Sequence, residues 1–428
     1  MQQFWCESAE MMEKQGKEPE FYTGEPVEPC DLWFRDEFID LVWETLRRRH
    51  VLIAAPRRTG KTSVMNHLQE HPQGGYLVVS QNVQDLKHPA ELFQTILENF
   101  YENHRSVADR LIQGGWRLLR DSRNWLGANV ESVGAGAFKI ALRNSDPDWQ
   151  KNWKQHADET LRQLRAINKP VLLIVDELPD LVLNMRGKND DALREFLVWF
   201  RKNRQTPPPA KDSIRWLIGG SINLASTLDD LGEVDLINDI ATETLPILSE
   251  AEVKEFVTRM LSSRGVEISQ TVPRRVSDRL GRPIPFFMQL ATQEIFRSWK
   301  KKPRKVSSKD VDVVFDEMVT SQAAQAKLQH YYTRIRLYYR DPRRSAAYLI
   351  LSQLSQATSE GVSRRSLEQL FQRHLVDQGV SLDSASQRDQ FNQLMRDLEN
   401  DFYVVECGED HFDFSSGVMK AWWKKYYG

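Results

Sequence analysis

The sequence predicts an α/β fold with a mostly parallel sheet, followed by a helical region and a small C-terminal domain of helices and one hairpin. Three observations carry that prediction. Residues 50–66 run from an apolar strand through the loop Ala55-Pro56-Arg57-Arg58-Thr59-Gly60-Lys61-Thr62 into a helix. Residues 171–175 are all apolar and end in Asp176-Glu177, the pattern of a strand buried on both faces. From residue 50 to residue 248, short apolar runs alternate with helical segments, as βαβ units require.

Residues 1–28 are polar, and glycine and proline at 24–29 mark them as a lead-in segment. From 29 to 49 the spacing of Phe38, Leu41, Val42, Thr45 and Leu46 predicts a helix that feeds the strand at 50–55. The helix after the loop begins near Gly60 and stops before Pro72. A second strand is predicted at 76–80, with Asn82 and Asp85 as turn or capping residues. Helical spacing returns at 89–104 and 106–120. The stretch 121–148 is irregular, and 134–142 admits a strand pair. A helix at 149–167 breaks at Lys169-Pro170, and one at 190–204 ends before the prolines at 207–209. Strands follow at 214–218 and 242–248.

After Ser249 the character changes. Ser249-Glu250-x-Glu252 reads as a helix start with acids in its first turn. Consecutive helices fill 249–330, broken at 281–285 and at Pro303. Helices at 342–356, 363–376 and 386–399 are followed by a strand at 402–407, a turn at Gly408-Glu409-Asp410 and a return strand at 411–414. A last helix carries Trp422 and Trp423, whose place is in the core of this domain. Three helices and a hairpin is the order of a winged helix. The expected organisation is an N-terminal segment at 1–28, an α/β core at 29–248, a helical lid at 249–335 and a winged-helix domain at 336–428.

Composition limits the functions on offer. A chain of 428 residues with 40% hydrophobic and 28% charged residues can bury a sizeable core. Its net charge of −2 gives no global basic field for nucleic acid. Cys6, Cys30 and Cys407 lie far apart with no metal-ligand spacing, which predicts free thiols in a reducing compartment. No apolar run approaches the roughly 18 residues of a membrane span. No basic stretch followed by an apolar one marks a signal peptide. The expected setting is cytoplasmic, without membrane contact.

The chemistry lies in two motifs. In the loop, Gly60 lets the backbone approach phosphate oxygens, and successive N–H groups at the following helix start face the anion. Lys61 reaches the outer phosphates as a point charge, and the Thr62 hydroxyl can ligate magnesium. Asp176 ends an apolar strand, where ligands of parallel sheets collect, and is placed to hold that magnesium opposite Thr62. Glu177 is the candidate to orient or deprotonate an attacking water. The competing reading makes the acids a helix cap. Gly219-Gly220-Ser221 offers a further polar contact for a terminal phosphate, with Ser221 the better candidate, Asn223 the alternative and a plain glycine turn the rival reading.

These motifs resemble the P-loop ATPases of the STAND and AAA+ type, in particular the archaeal-ATPase branch related to replication initiators. The resemblance rests on Pro56-Arg57-Arg58-Thr59-Gly60-Lys61-Thr62-Ser63, the segment 172–177, Gly220-Ser221 and Gly281-Arg282-Pro283. Phe34-Arg35-Asp36-Glu37 and the pattern from Asp401-Phe402-Tyr403 to Trp422-Trp423 add to it, so that it spans about residues 28–428. It implies ATP with magnesium as ligands, a P-loop NTPase core, a helical lid and a winged helix. It also implies that Arg35 borders the base and that Gly281 and Pro283 approach the nucleotide. One departure stands out: from Leu217 to Val253 there is no lysine or arginine, while eight acids occur. Such families place an arginine finger there, worth about 10³–10⁵ in rate. Slow hydrolysis and a switch role are therefore expected, with a protein partner or self-association. DNA stays open as a partner, although Glu406, Glu409 and Asp410 on the hairpin would repel phosphate.

Overall fold

The computed structural model describes residues 19–55, 57–113, 148–205, 214–220, 224–229, 234–358 and 360–428. The strand pair expected at 134–142 and the end of the helix expected at 106–120 lie outside them. Among the described residues the chain forms two compact units. A sheet unit comprises 35–55 and 61–245, and a helical unit comprises 19–34, 57–60 and 246–428.

In the sheet unit, β1 (Val51–Ala54), β2 (Leu77–Asn82), β3 (Val171–Asp176), β4 (Ile214–Gly220) and β5 (Ala241–Thr244) pair in the order β2-β3-β4-β1-β5. Every pairing is parallel. Parallel strands need crossovers, and all their C-terminal ends fall on one edge. Each position of β3 is buried, as its unbroken apolar run requires. Helices Pro89–Asn103, Trp153–Arg165 and Asp190–Gln205 bury an aromatic cluster against the sheet. Its rings, Phe93, Trp153, Phe196, Trp199, Phe200 and Trp216, have centroids 4.9–6.4 Å apart.

Several elements differ from expectation. The helix expected from 29 onward starts only at Asp36, because Phe34 takes a left-handed backbone (φ 62°) and Arg35 is non-helical. A helix at Leu178–Met185, with Pro179 in its first turn, follows β3 at once and was not expected. Strand β4 runs on through Gly219 and Gly220, which are therefore strand residues and not a turn. Strand β5 stops at Thr244. Leu245 N–H still reaches Ala54 O at 2.9 Å, but Pro246 has no N–H to continue the ladder.

In the helical unit, one apolar core extends from Leu248 to Trp423. It takes in helices Glu250–Ser262, Val272–Leu280, Pro285–Lys301, Ser308–Thr320 and Gln322–Tyr338, then Arg343–Gln356, Arg364–Asp377, Ser384–Asn400 and Gly417–Tyr426. Ser249 starts the first of these with a capping box to Glu252. Strands β6 (Val362–Ser363), β7 (Val404–Gly408) and β8 (His411–Phe414) form an antiparallel sheet in the order β6-β8-β7. Trp422 and Trp423 are buried in this core. The turn at Gly281 docks on the segment before the last helix, with Arg282 N–H donating to Ser415 O at 3.1 Å. Gly417 makes the approach possible, since a Cβ there would lie 2.4 Å from Arg279 O. No described helix is long and apolar enough to cross a membrane.

Candidate functional site

The loop after β1 is shaped by two left-handed residues, Arg58 (φ 67°) and Gly60 (φ 95°). Glycine adopts that region freely, which explains Gly60. Ala55 and Thr59 are buried on the loop, as is Ser63 in the helix that follows, while Arg57 and Arg58 are half-buried. The guanidinium of Arg58 lies over the Phe286 ring, 4.1 Å from its centroid.

Lys61 opens the helix Lys61–Glu70, yet its amine turns to the end of β3. It forms an ion pair with Asp176 Oδ1 and stands 3.4 Å from Glu177 Oε1. The Thr62 hydroxyl donates to Asp176 Oδ2 at 2.7 Å. Asp176 Oδ1 also accepts the Glu177 N–H at 3.0 Å. Lys61, Thr62, Asp176 and Glu177 are thus brought together at the C-terminal edge of the sheet.

Glu177 stands directly after β3. It does occupy the residue position before helix Leu178–Met185, but its side chain makes no cap bond. Its backbone is left-handed (φ 64°), a conformation that costs a non-glycine residue about 1–3 kcal/mol. The carboxylate is directed to Lys61 instead.

Gly219 is the residue whose part the sequence concealed. Strand β4 lies between β3 and β1. A Cβ on Gly219 would come within 2.4 Å of Met65 Cε, 2.6 Å of Asp176 Oδ1 and 3.2 Å of Lys61 Nζ. The glycine keeps room for the ion pair. A glycine inside a strand is itself the signal of such a close approach.

Arg35 is buried at the head of helix Asp36–Leu46, where its carbonyl accepts Ile39 N–H at 2.8 Å. Pro283 is buried in the helical unit, just ahead of helix Pro285–Lys301. Pro56 and Ser221, with the alternative Asn223, lie outside the described residues. For a cation, Asp176 and Thr62 offer adjacent carboxylate and hydroxyl oxygens, the hard donors that suit magnesium.

No protein-family model matches the chain, and no curated protein matches it. Solved structures do. The Walker-type ATPase of Pyrococcus abyssi aligns with 94% of this chain and 98% of its own, with a TM-score of 0.58 and 13% identity. The ORC2 protein of Aeropyrum pernix, solved as ADPNP-ADP complexes, aligns over 92% of each chain with a TM-score of 0.49 and 14% identity. The ORC1 protein of the same organism, solved in complex with DNA, covers 92% of this chain and 94% of its own, with a TM-score of 0.36 and 13% identity. At such identities the first likeness speaks for fold alone. The fold is that of an α/β P-loop NTPase with a mostly parallel sheet.

Proposed function

We propose that this chain is a magnesium-dependent ATPase that turns over slowly and works as a nucleotide-controlled switch. The observation that carries the reading is the meeting of Lys61, Thr62, Asp176 and Glu177 at the edge of the sheet where β1 hands over to the loop. Backbone N–H groups of residues 57–62 would cradle the phosphates, with Arg57, Arg58, Thr59 and Ser63 around them. Lys61 would exchange Asp176 for phosphate oxygens. Asp176, released from that pair, and Thr62 would hold magnesium, which when bound supplies charge neutralisation at the phosphates. Glu177 would orient or deprotonate the attacking water, with Ser221 as a further polar contact. Arg35 would border the base, and Pro283 would contribute from the lid.

Slow turnover has two supports. The stretch from Leu217 to Val253 lacks any cation. Two arginines that precede it are committed to the fold: Arg204 pairs with Asp239, and Arg215 Nε donates to Leu46 O at 2.8 Å. A rate below about 10 per second for the isolated protein follows.

Lys61→Ala should weaken Mg-ATP binding by about 2–5 kcal/mol, the usual loss when one partner of a buried charged contact is truncated. Glu177→Gln should keep that affinity and slow hydrolysis about 10²–10⁴-fold. Titration calorimetry and single-turnover phosphate release read the two effects. Undiminished hydrolysis in both variants would sink the assignment.

Residues 336–428 are read as the winged helix, 249–335 as the lid and 29–248 as the core. The hairpin suits a protein partner or a second copy better than duplex DNA. Its turn is acidic, Lys420 pairs with Asp413 at 2.7 Å, and Arg364 donates to Asn392 at 2.7 Å. Light scattering of the Glu177→Gln protein with and without ATP tests self-association. DNA engagement is favoured by one other surface, the exposed Lys300, Lys301, Lys302 and Lys305, beside Arg304, which pairs with Asp310. A steep loss of duplex binding with salt would support it. Among the described residues Cys30 and Cys407 form no disulfide, in keeping with the proposed cytoplasmic setting.

A further inference from the structure

Arg58 holds a left-handed backbone that an arginine adopts only against strain. Besides covering Phe286, its guanidinium lies 5.6 Å from the Tyr331 ring. Three polar atoms here are buried without a hydrogen-bond partner: Arg58 Nη1, His330 Nδ1 and the Tyr331 hydroxyl. Tyr331 is only 4% exposed, so its hydroxyl is held away from solvent. All these residues belong to the helical unit.

The charge around them is positive. Burial and the cations Arg57, Arg334 and Arg58 push the His330 pKa down to about 4. Arg57 and Arg58 act from the loop, Arg334 from the next turn of His330's own helix. Burial also lowers the pKa of Arg58. Asp401 is a carboxylate that feels Arg334, and it accepts the Tyr339 hydroxyl at 2.9 Å. A buried donor left unpaired costs about 1–3 kcal/mol, and a crowd of cations adds to the cost.

We propose that Arg58, His330 and Tyr331 form an anion subsite on the helical unit that takes a dianionic phosphate group. A guanidinium and a phenol hydroxyl are strong donors to phosphate oxygens. His330 Nδ1 carries a third proton in one neutral tautomer and in the cation. A phosphate presents three oxygens in a tetrahedron and two negative charges, which suits three separate donors, one of them Arg58, beside the two further arginines Arg57 and Arg334 better than a planar monoanion does. The subsite uses the Arg58 side chain and not the loop backbone or Lys61. Arg58 also borders the phosphates in the ATPase reading, so the subsite rests in part on that reading, while His330 and Tyr331 lie outside it. The phosphate can be free, or it can be the terminal group of a nucleotide.

His330 is the reporter. Its imidazole resonance, identified by its loss in His330→Gln, is titrated with pH in the whole protein. Millimolar inorganic phosphate should raise its pKa by about one to three units, as an opposite charge at contact does. A shift with phosphate that survives in Lys61→Ala supports the subsite with free phosphate as ligand. If the shift comes only with ATP and is lost in Lys61→Ala, the subsite is supported with the nucleotide as source. Arg58→Gln and Tyr331→Phe, with melting temperatures near wild type, should each weaken the shift. Two results overturn the proposal: a pKa unmoved by either ligand, or a phosphate shift that persists in both variants. The ATPase reading fails separately, through undiminished hydrolysis in both Lys61→Ala and Glu177→Gln.

Discussion

The two edges of the parallel sheet use the same kinds of groups to opposite ends. At the C-terminal edge, Lys61 is buried against Asp176 and Glu177. At the N-terminal edge, Arg204 is buried against Asp239, to which it donates through Nε at 3.0 Å and Nη2 at 2.9 Å. His50, just before β1, completes that edge. It accepts Trp216 N–H at Nδ1 and meets Arg204 O through Nε2, both at 3.1 Å. The arginine is a planar fork seated two-to-two on its carboxylate, with its face on the Phe200 ring at 4.2 Å. The lysine is a point charge on a flexible stem. A fork that fills both carboxylate oxygens is a clamp, whereas a point charge can be handed to another anion. The C-terminal edge also keeps a strained Glu177 and a bare Gly219, features that stability alone does not require.

If that contrast holds, the two edges can be broken independently. The largest effect is expected at the clamp. Asp239→Asn strips the counter-charge from a guanidinium whose side chain is fully buried. Breaking a buried pair costs about 3–5 kcal/mol, and the one-fifth exposure of Asp239 places this case near 3. Urea unfolding should show a lower midpoint at unchanged slope. Mg-ATP affinity of the folded variant should stay as in wild type. A loss under about 1 kcal/mol would show that the clamp is ornamental and the contrast false.

The next effect belongs to the other edge. Gly219→Ala drives a methyl into Met65 Cε, Asp176 Oδ1 and Lys61 Nζ. These are side-chain ends, so the strand can absorb the methyl at about 1 kcal/mol of stability. The ion pair cannot absorb it without moving. A misplacement of about 1 Å at a reacting centre is enough for a 10²-fold loss of hydrolysis. Single-turnover phosphate release, set beside urea unfolding, measures both. Wild-type hydrolysis in this variant would remove Gly219 from the site.

The same contrast explains what the sequence made legible. Strand β3 announced itself because burial on both faces demands an unbroken apolar run, and β1 and β4 showed as short, mostly apolar runs despite Arg215 in β4. Lys61, Thr62, Asp176 and Glu177 were legible because loop chemistry and an acid after a strand are local patterns. Gly219 was not. Its part depends on β4 lying between β3 and β1, and pairing order is a long-range fact. The clamp was hidden for the same reason: His50 and Arg204 are 154 positions apart. Helix Leu178–Met185 escaped for a local reason. Glu177 and Pro179 read as the loop after a strand, although proline in a first turn is a helix start as well.

The smallest effect is a pH dependence at the clamp, and its sign follows from His50. Burial holds the His50 pKa down to about 4 in the folded chain, against 6.5 for the free side chain. Between those values the unfolded chain binds a proton that the folded chain refuses. Acid therefore favours unfolding across that window, and the contribution is complete above about pH 6.5. Neutrality is built into the bonding, since Nδ1 accepts the Trp216 N–H and cannot also carry a proton. Protonation would also set a cation beside Arg204 and Arg215, which already act to lower the pKa. From about pH 7 to pH 5 the loss should be about 2 kcal/mol. His50→Gln can keep a donor and an acceptor but does not titrate. Subtracting its unfolding profile from that of wild type isolates the histidine from every other group. A difference that grows as pH falls through 6 places His50 in the structural edge, and parallel profiles would take it out of the clamp.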